Sequence, residues 1–190
     1  MMLIEFDGKK PQIGTNVFIA PTAVLIGDVI VGDNSSIWFG AVLRADFGGQ
    51  IVVGTGCSVQ DNTTLHVYDD VSTVLAENVT VGHGAVLEGC HIGANTVIGM
   101  NSTVLPFAVV GEQVMVAAGS VIPERMEVPA RVLVAGVPAK IKKELSGSAL
   151  AWTGKAAREY QQIQARYRAQ GIDRLLVEMD GVGVGGGNGR

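Results

Sequence analysis

The chain contains three histidines, His66, His83 and His91. His66 closes the run Val59-Gln60-Asp61-Asn62-Thr63-Thr64-Leu65-His66, and His83 opens Val81-Gly82-His83-Gly84-Ala85-Val86-Leu87-Glu88. A single histidine on a protein surface is most often just a solvated side chain. Two imidazoles near carboxylates are a common zinc set that leaves a position for water. No HExxH-type motif fixes such a site locally. Arg44 and Asp46 stand two apart, so they share one side of an extended strand. Gln60 and Asp61 are expected at an equivalent place two coils later. A structural ion-pair ladder holding coils or subunits in register accounts for the same residues, and the surroundings of a bound metal are often such a ladder.

What must position these groups is a repeat. Steps of six from Ile13 meet Ile19, Leu25, Val31, Ile37 and Leu43; a second register runs Val53, Val59, Leu65 and Val71. A third runs Val86, Ile92, Ile98, Val104, Val110, Val116 and Ile122. Period six drifts around a helix axis, and strict two-residue alternation does not explain it either. Six residues per flat face with one branched side chain inward is the hexapeptide β-helix pattern, an all-β solenoid. Each coil buries its aliphatic residue against its neighbours, so stability is cooperative along the stack. The register breaks between Leu43 and Val53, where Ala45–Gln50 is expected to leave the coil. It breaks again after Leu65, where His66–Thr73 is the expected excursion. Solenoid insertions often lie on the binding face, and both breaks adjoin the polar residues above.

The period is expected to stop after Ile122-Pro123, with Val128-Pro129-Ala130 and Gly136-Val137-Pro138-Ala139 as turn-rich exits. Ala156, Tyr160, Ile163 and Tyr167 then fall at helical spacing, with Thr153 as a candidate cap and Gly171 as a candidate end. A second helical piece is expected over Asp173–Met179. These readings divide the chain into a β-helix domain over 1–145, a helical segment over 146–180 packing on it, and a disordered Gly-rich tail over 181–190.

Composition narrows the classes. The formal net charge of −4 offers no basic footprint for nucleic acid or an anionic membrane. Two cysteines cannot make a disulfide framework. The N-terminus meets acid at Glu5 and Asp7, too early for a secretory signal. No stretch reaches the roughly 18–20 apolar residues of a membrane helix. A cytoplasmic location is expected.

The runs Val24-Leu25-Ile26-Gly27-Asp28-Val29, Ser36-Ile37-Trp38-Phe39-Gly40-Ala41-Val42-Leu43-Arg44-Ala45-Asp46, Val59-Gln60-Asp61-Asn62 with Leu65-His66, and Val81-Gly82-His83 resemble the γ-class carbonic anhydrase family. Gly136-Val137-Pro138-Ala139-Lys140 is similar to that family's exit from the coil, and the resemblance covers roughly residues 10–170. It implies a left-handed parallel β-helix and a homotrimer. It also implies metal sites at subunit interfaces, holding Zn2+ or alternatively Fe2+ or Co2+. Three histidines bind that metal in the family, two from one subunit and one from its neighbour. His66 matches the first and His83 the one donated across the interface.

The third position departs from the pattern, because Glu88 stands where the family has histidine. The metal set implied here is therefore His66, His83 and Glu88, with His91 a surface residue. A carboxylate lowers the formal charge of the site by one and makes its water less acidic. Two histidines and a glutamate nonetheless serve several zinc peptidases. Tyr160 matches a family tyrosine on the C-terminal helix, although Glu159 replaces the usual neighbouring asparagine; packing on the apolar stripe is the competing role. The implied activity is reversible hydration of CO2 to bicarbonate by metal-bound hydroxide. Gln60 would orient the hydroxide, while Arg44, Asp46 and Asp61 brace the ligands and the trimer. The alternatives are another metal-dependent hydratase or hydrolase acting on a thioester or small acyl substrate, a hexapeptide acyltransferase, and a non-catalytic assembly module.

Overall fold

The computed structural model describes residues 1–174. Successive short strands, from Met2–Ile4 to Ala139–Glu144, go in turn to three sheets of seven, seven and eight strands. Pairing is parallel throughout, except where Ala139–Glu144 turns back antiparallel on Val132–Gly136. The result is a left-handed parallel β-helix of about 7 turns.

Its core is three stacks of inward aliphatics. The first sheet contributes Leu25, Leu43, Leu65, Leu87, Val104 and Ile122, paired in register from strand to strand. The third contributes Ile19, Ile37, Val59, Val81, Ile98, Val116 and Val134. These side chains are almost fully buried, each contributing roughly 1.5–3 kcal/mol of apolar burial. After the first coil, the corner between the third and first sheets turns on one left-handed residue each time. Gly40, Asn62, Gly84, Asn101 and Gly119 supply it with φ between 53° and 70°, the residue types that tolerate that region.

Four expectations need correction. Val86 is not inward: it is 41% exposed while Leu87 is buried, so the step from Leu87 to Ile92 is five. Val71 lies in a loop, bridged to Tyr68, and Leu75 takes its inward place. The period continues beyond Ile122, since Val128 and Val134 pair with Val110 and Val116; prolines at the corners do not break it. Gln60 and Asp61 are not equivalent to Arg44 and Asp46, because Arg44 pairs with His66. The two excursions lie at one corner, between the strands Val42–Ala45 and Ile51–Val53, and between Thr64–His66 and Thr73–Leu75.

The helix spans Gly147–Ala169, starting earlier than Thr153. Thr153 is buried within it, its hydroxyl donating to the Leu150 carbonyl at 2.8 Å, and Gly171 follows the C-cap Gln170 at φ 71°. The helix covers the third sheet. Phe18, Trp38 and Tyr167 interlock there with ring centroids 5.0–5.6 Å apart, and Trp38 Nε1 is 3.0 Å from both the Ser36 and Ser58 hydroxyls. A short 3-10 turn, Ile172–Arg174, follows; the rest of the expected second helical piece and the Gly-rich tail lie outside the described residues. Among the described residues no helix is long and apolar enough to cross a membrane.

Candidate metal centre

The residue after each inward leucine of the first sheet points outward. Parallel register stacks those residues at one edge of the face, bringing Arg44, His66 and Glu88 onto neighbouring rungs, spaced about 4.8 Å. Asp46 begins the first excursion loop and folds back on them. His66 Nδ1 lies 2.9 Å from Glu88 Oε1, and its Nε2 lies 3.1 Å from Asp46 Oδ1. Asp46 Oδ2 accepts a hydrogen bond from Arg44 Nη1. Burial alone would raise the Asp46 carboxyl, but the hydrogen bonds from Arg44 and His66, with the Arg44 charge, hold it below the ordinary carboxylate range. Phe47, on the same loop, sets its ring edge-on to His66 at 5.8 Å.

A second cluster occupies the opposite edge of the same sheet. His83 and Asp61 each stand two residues after an inward valine, so they stack at the corner, joined by the Gly84 N–H to Asp61 carbonyl bond of 2.9 Å. Asp61 Oδ2 lies 2.8 Å from His83 Nδ1. An ionised carboxylate only accepts, so Nδ1 is the nitrogen that donates to it, and Nε2 is the one turned away from Asp61. Gln60 is buried beside this corner, and Tyr160 reaches it from the helix. The Tyr160 hydroxyl is held above its usual range by burial and then by the negative charges of Asp61 and Glu159, a contact from Gln60 working the other way. Tyr160 also packs against Trp38, ring centroids 6.0 Å apart. His91 is exposed on the second sheet, away from both clusters.

Among the described residues no three His, Cys, Asp or Glu side chains of one chain converge as a metal site. The chain carries instead two separate clusters, one with Glu88, His66 and Asp46, the other with His83 and Asp61. The donor chemistry fits a metal. Glu88 Oε1 and His66 Nδ1 meet at 2.9 Å, a hydrogen-bond separation; two ligands of one tetrahedral ion would stand roughly 3.3 Å apart, so the pair would open by a few tenths of an ångström to hold one. A neutral imidazole has one N–H for two facing carboxylates. With Nε2–H given to Asp46, a cation between Nδ1 and Glu88 satisfies both groups. Sequence reasoning missed Phe47; its place in the first register break was the available signal.

The three parallel sheets and the six-residue coil geometry define a hexapeptide-repeat β-helix protein. The family described as "Bacterial transferase hexapeptide (six repeats)" matches residues 10–45 and 89–124. The chain is 39% identical over 166 residues to the Escherichia coli carnitine operon protein CaiE, covering 87% of this chain and 84% of that one. It is 37% identical over 185 residues to the mitochondrial γ-carbonic anhydrase 2 of Arabidopsis thaliana, covering 93% of this chain but 66% of the plant protein. A solved Bacillus cereus structure described as an acetyltransferase superposes with a TM-score of 0.87 at 35% identity, over 89% of this chain and 98% of that one. The chain belongs to the hexapeptide-repeat family, in the group with relatives named γ-carbonic anhydrase and CaiE.

Proposed function

We propose that the chain is a homotrimeric, metal-dependent enzyme of γ-carbonic anhydrase type that hydrates CO2 reversibly. His66 and Glu88 of one copy and His83 of the next hold the metal, zinc or another divalent ion. The contact between Glu88 and His66 at 2.9 Å carries this reading, because it brings two groups able to ligate a metal together on neighbouring rungs.

The face between the two clusters supports the trimer. Met2, Val24, Val42, Thr64, Val86, Thr103 and Val121 form one outward column across the first sheet. No charge interrupts it, and an uncharged apolar strip on an outer face marks an association surface. A head-to-tail ring of copies sets the His83 edge of one against the His66 edge of the next.

A divalent ion there supplies Lewis acidity and makes a coordinated water more acidic. The chain's own residues do the rest. Asp46 accepts a hydrogen bond from His66 Nε2–H and so turns Nδ1 toward Glu88, with Arg44 anchoring the Asp46 carboxylate. Asp61 holds His83 by Nδ1, the tautomer whose Nε2 lone pair would be free for a metal. Gln60 and Tyr160 present hydrogen-bonding groups beside His83, placed to orient a water or bicarbonate oxygen.

Metal analysis combined with light scattering on the purified protein tests the reading. The expected result is a trimer with one divalent ion per chain. A metal-free monomer contradicts it. Coenzyme A-dependent acyl transfer needs no metal, so the same measurement separates that class.

A further inference from the structure

The helix stripe that covers the third sheet runs Trp152, Ala156 and Tyr160, one turn apart. A small residue between two large ones leaves a gap. Beneath it the coil offers Gly82 and Gly99, each packed so closely on the next coil that a Cβ would strike its backbone. The result is a slot of about 240 Å³ between helix and sheet, opening beside His83.

The slot is two-sided. Toward the earlier coils lie Gln60, Thr80, His83 and Tyr160, all able to hydrogen-bond; toward the later coils lie Val97, Ile98 and Met100, with Trp152 across from them. Thr80 is 4% exposed, and its hydroxyl has no hydrogen-bond partner among the described residues. An orphaned buried hydroxyl is destabilising; a turn of the Thr80 side chain toward the slot would let a ligand oxygen relieve it. Liquid water takes about 30 Å³ per molecule, so the volume holds roughly eight waters, far more than three-atom CO2 requires.

We infer that this slot binds a short unbranched acyl group, its carbonyl or carboxylate oxygen taking the Thr80 hydrogen bond and its tail lying against Val97, Met100 and Trp152. The site would thereby act on, or be controlled by, short-chain acyl compounds. The inference rests on the proposed reading only in taking His83 as part of the reacting centre.

The test is calorimetric titration of the purified protein with straight-chain carboxylates from acetate to octanoate, with metal content measured on the same samples. Affinity is expected to rise about four-fold per added methylene, then level off or fall once the slot is full. Ala156→Phe fills the gap and should remove the chain-length dependence while leaving acetate binding. Thr80→Val should weaken every member of the series about two- to ten-fold. If Ala156→Phe does not fold, Trp152→Ala opens a wall at a half-exposed position and should weaken the longer chains selectively. A series with no chain-length dependence, or one unchanged by the Ala156 or Trp152 variant, overturns the inference, whether the slot is then empty or filled by a second copy. Chain-length dependence in metal-free protein upholds the slot and removes the metal reading. A metal-loaded trimer with a flat series does the reverse.

Discussion

Glu88 Oε1 lies 2.9 Å from His66 Nδ1 across a single rung of parallel sheet. The pair is made by register alone, since each residue directly follows an inward leucine. Twenty-two residues separate them in sequence, and the coil that carries the second excursion brings them together.

In the proposed metal site, Glu88 would be the residue whose charge sets the reactivity. Glu88→Gln keeps the shape and removes the anion, and metal affinity should fall by at least about ten-fold. Glu88→His restores an all-imidazole set and raises the formal charge by one, so CO2 hydration near neutral pH should increase. Stopped-flow rates, read beside metal content, check this. A fully metallated Glu88→His protein with an unchanged rate contradicts it.

The outward column of the first sheet should be an association face. Val42→Asp or Val86→Asp places a carboxylate in it without touching the inward stack. Both variants should remain folded by circular dichroism yet sediment as smaller species with little bound metal. A trimer unaffected by either change would place the interface elsewhere.

The inward stacks were legible in the sequence because a six-residue step leaves one aliphatic per face. Their slips were not. Val86 and Leu87 are both aliphatic, so spacing alone could not choose between them; the shortened corner at Gly89 and Cys90 decides for Leu87. The candidate ligands were legible as residue types, and the resemblance paired them. What the sequence hid was the division of labour: Asp46 serves His66, whereas Asp61 serves His83 at the opposite edge of the sheet. That depends on which corner each residue occupies. The slot was hidden as well, because Trp152 lies on a helical turn N-terminal to the expected start and a small Ala156 carries no signal by itself.

Acid stability should depend on Asp28. Its carboxyl is held below the ordinary range first by the hydrogen bond from Lys9, then by that from Gln50, Nε2 to Oδ1 at 2.7 Å, against an opposing effect of burial. A depressed folded value means the contribution is fully present above about pH 4 and is lost as pH falls through that value. Asp28→Asn should therefore lower stability at neutral pH and flatten its decline below pH 4, in denaturant titrations run across that range. An acid limb identical to wild type would show that Asp28 does not contribute.

The two cysteines should be inert in the folded chain. Burial pushes Cys57 and Cys90 thiols up to about 12, and the thiolate is the reactive form. Labelling by a thiol reagent at pH 8 should proceed only as fast as the chain opens, accelerating in step with denaturant. Rapid labelling of native protein would contradict their packing into the coil interior.

The shared site has a direct test, which is to mix two inactive halves. His66→Ala and His83→Ala proteins should each lose stoichiometric metal. Unfolded together in equal amounts and reassembled, they should regain it, because random assembly sets an intact His66–Glu88 edge beside an intact His83 corner at about one interface in four. Recovery of roughly a quarter of wild-type metal, with trimers in solution, is the predicted result. Metal no higher in the mixture than in either variant alone would contradict a site built between copies.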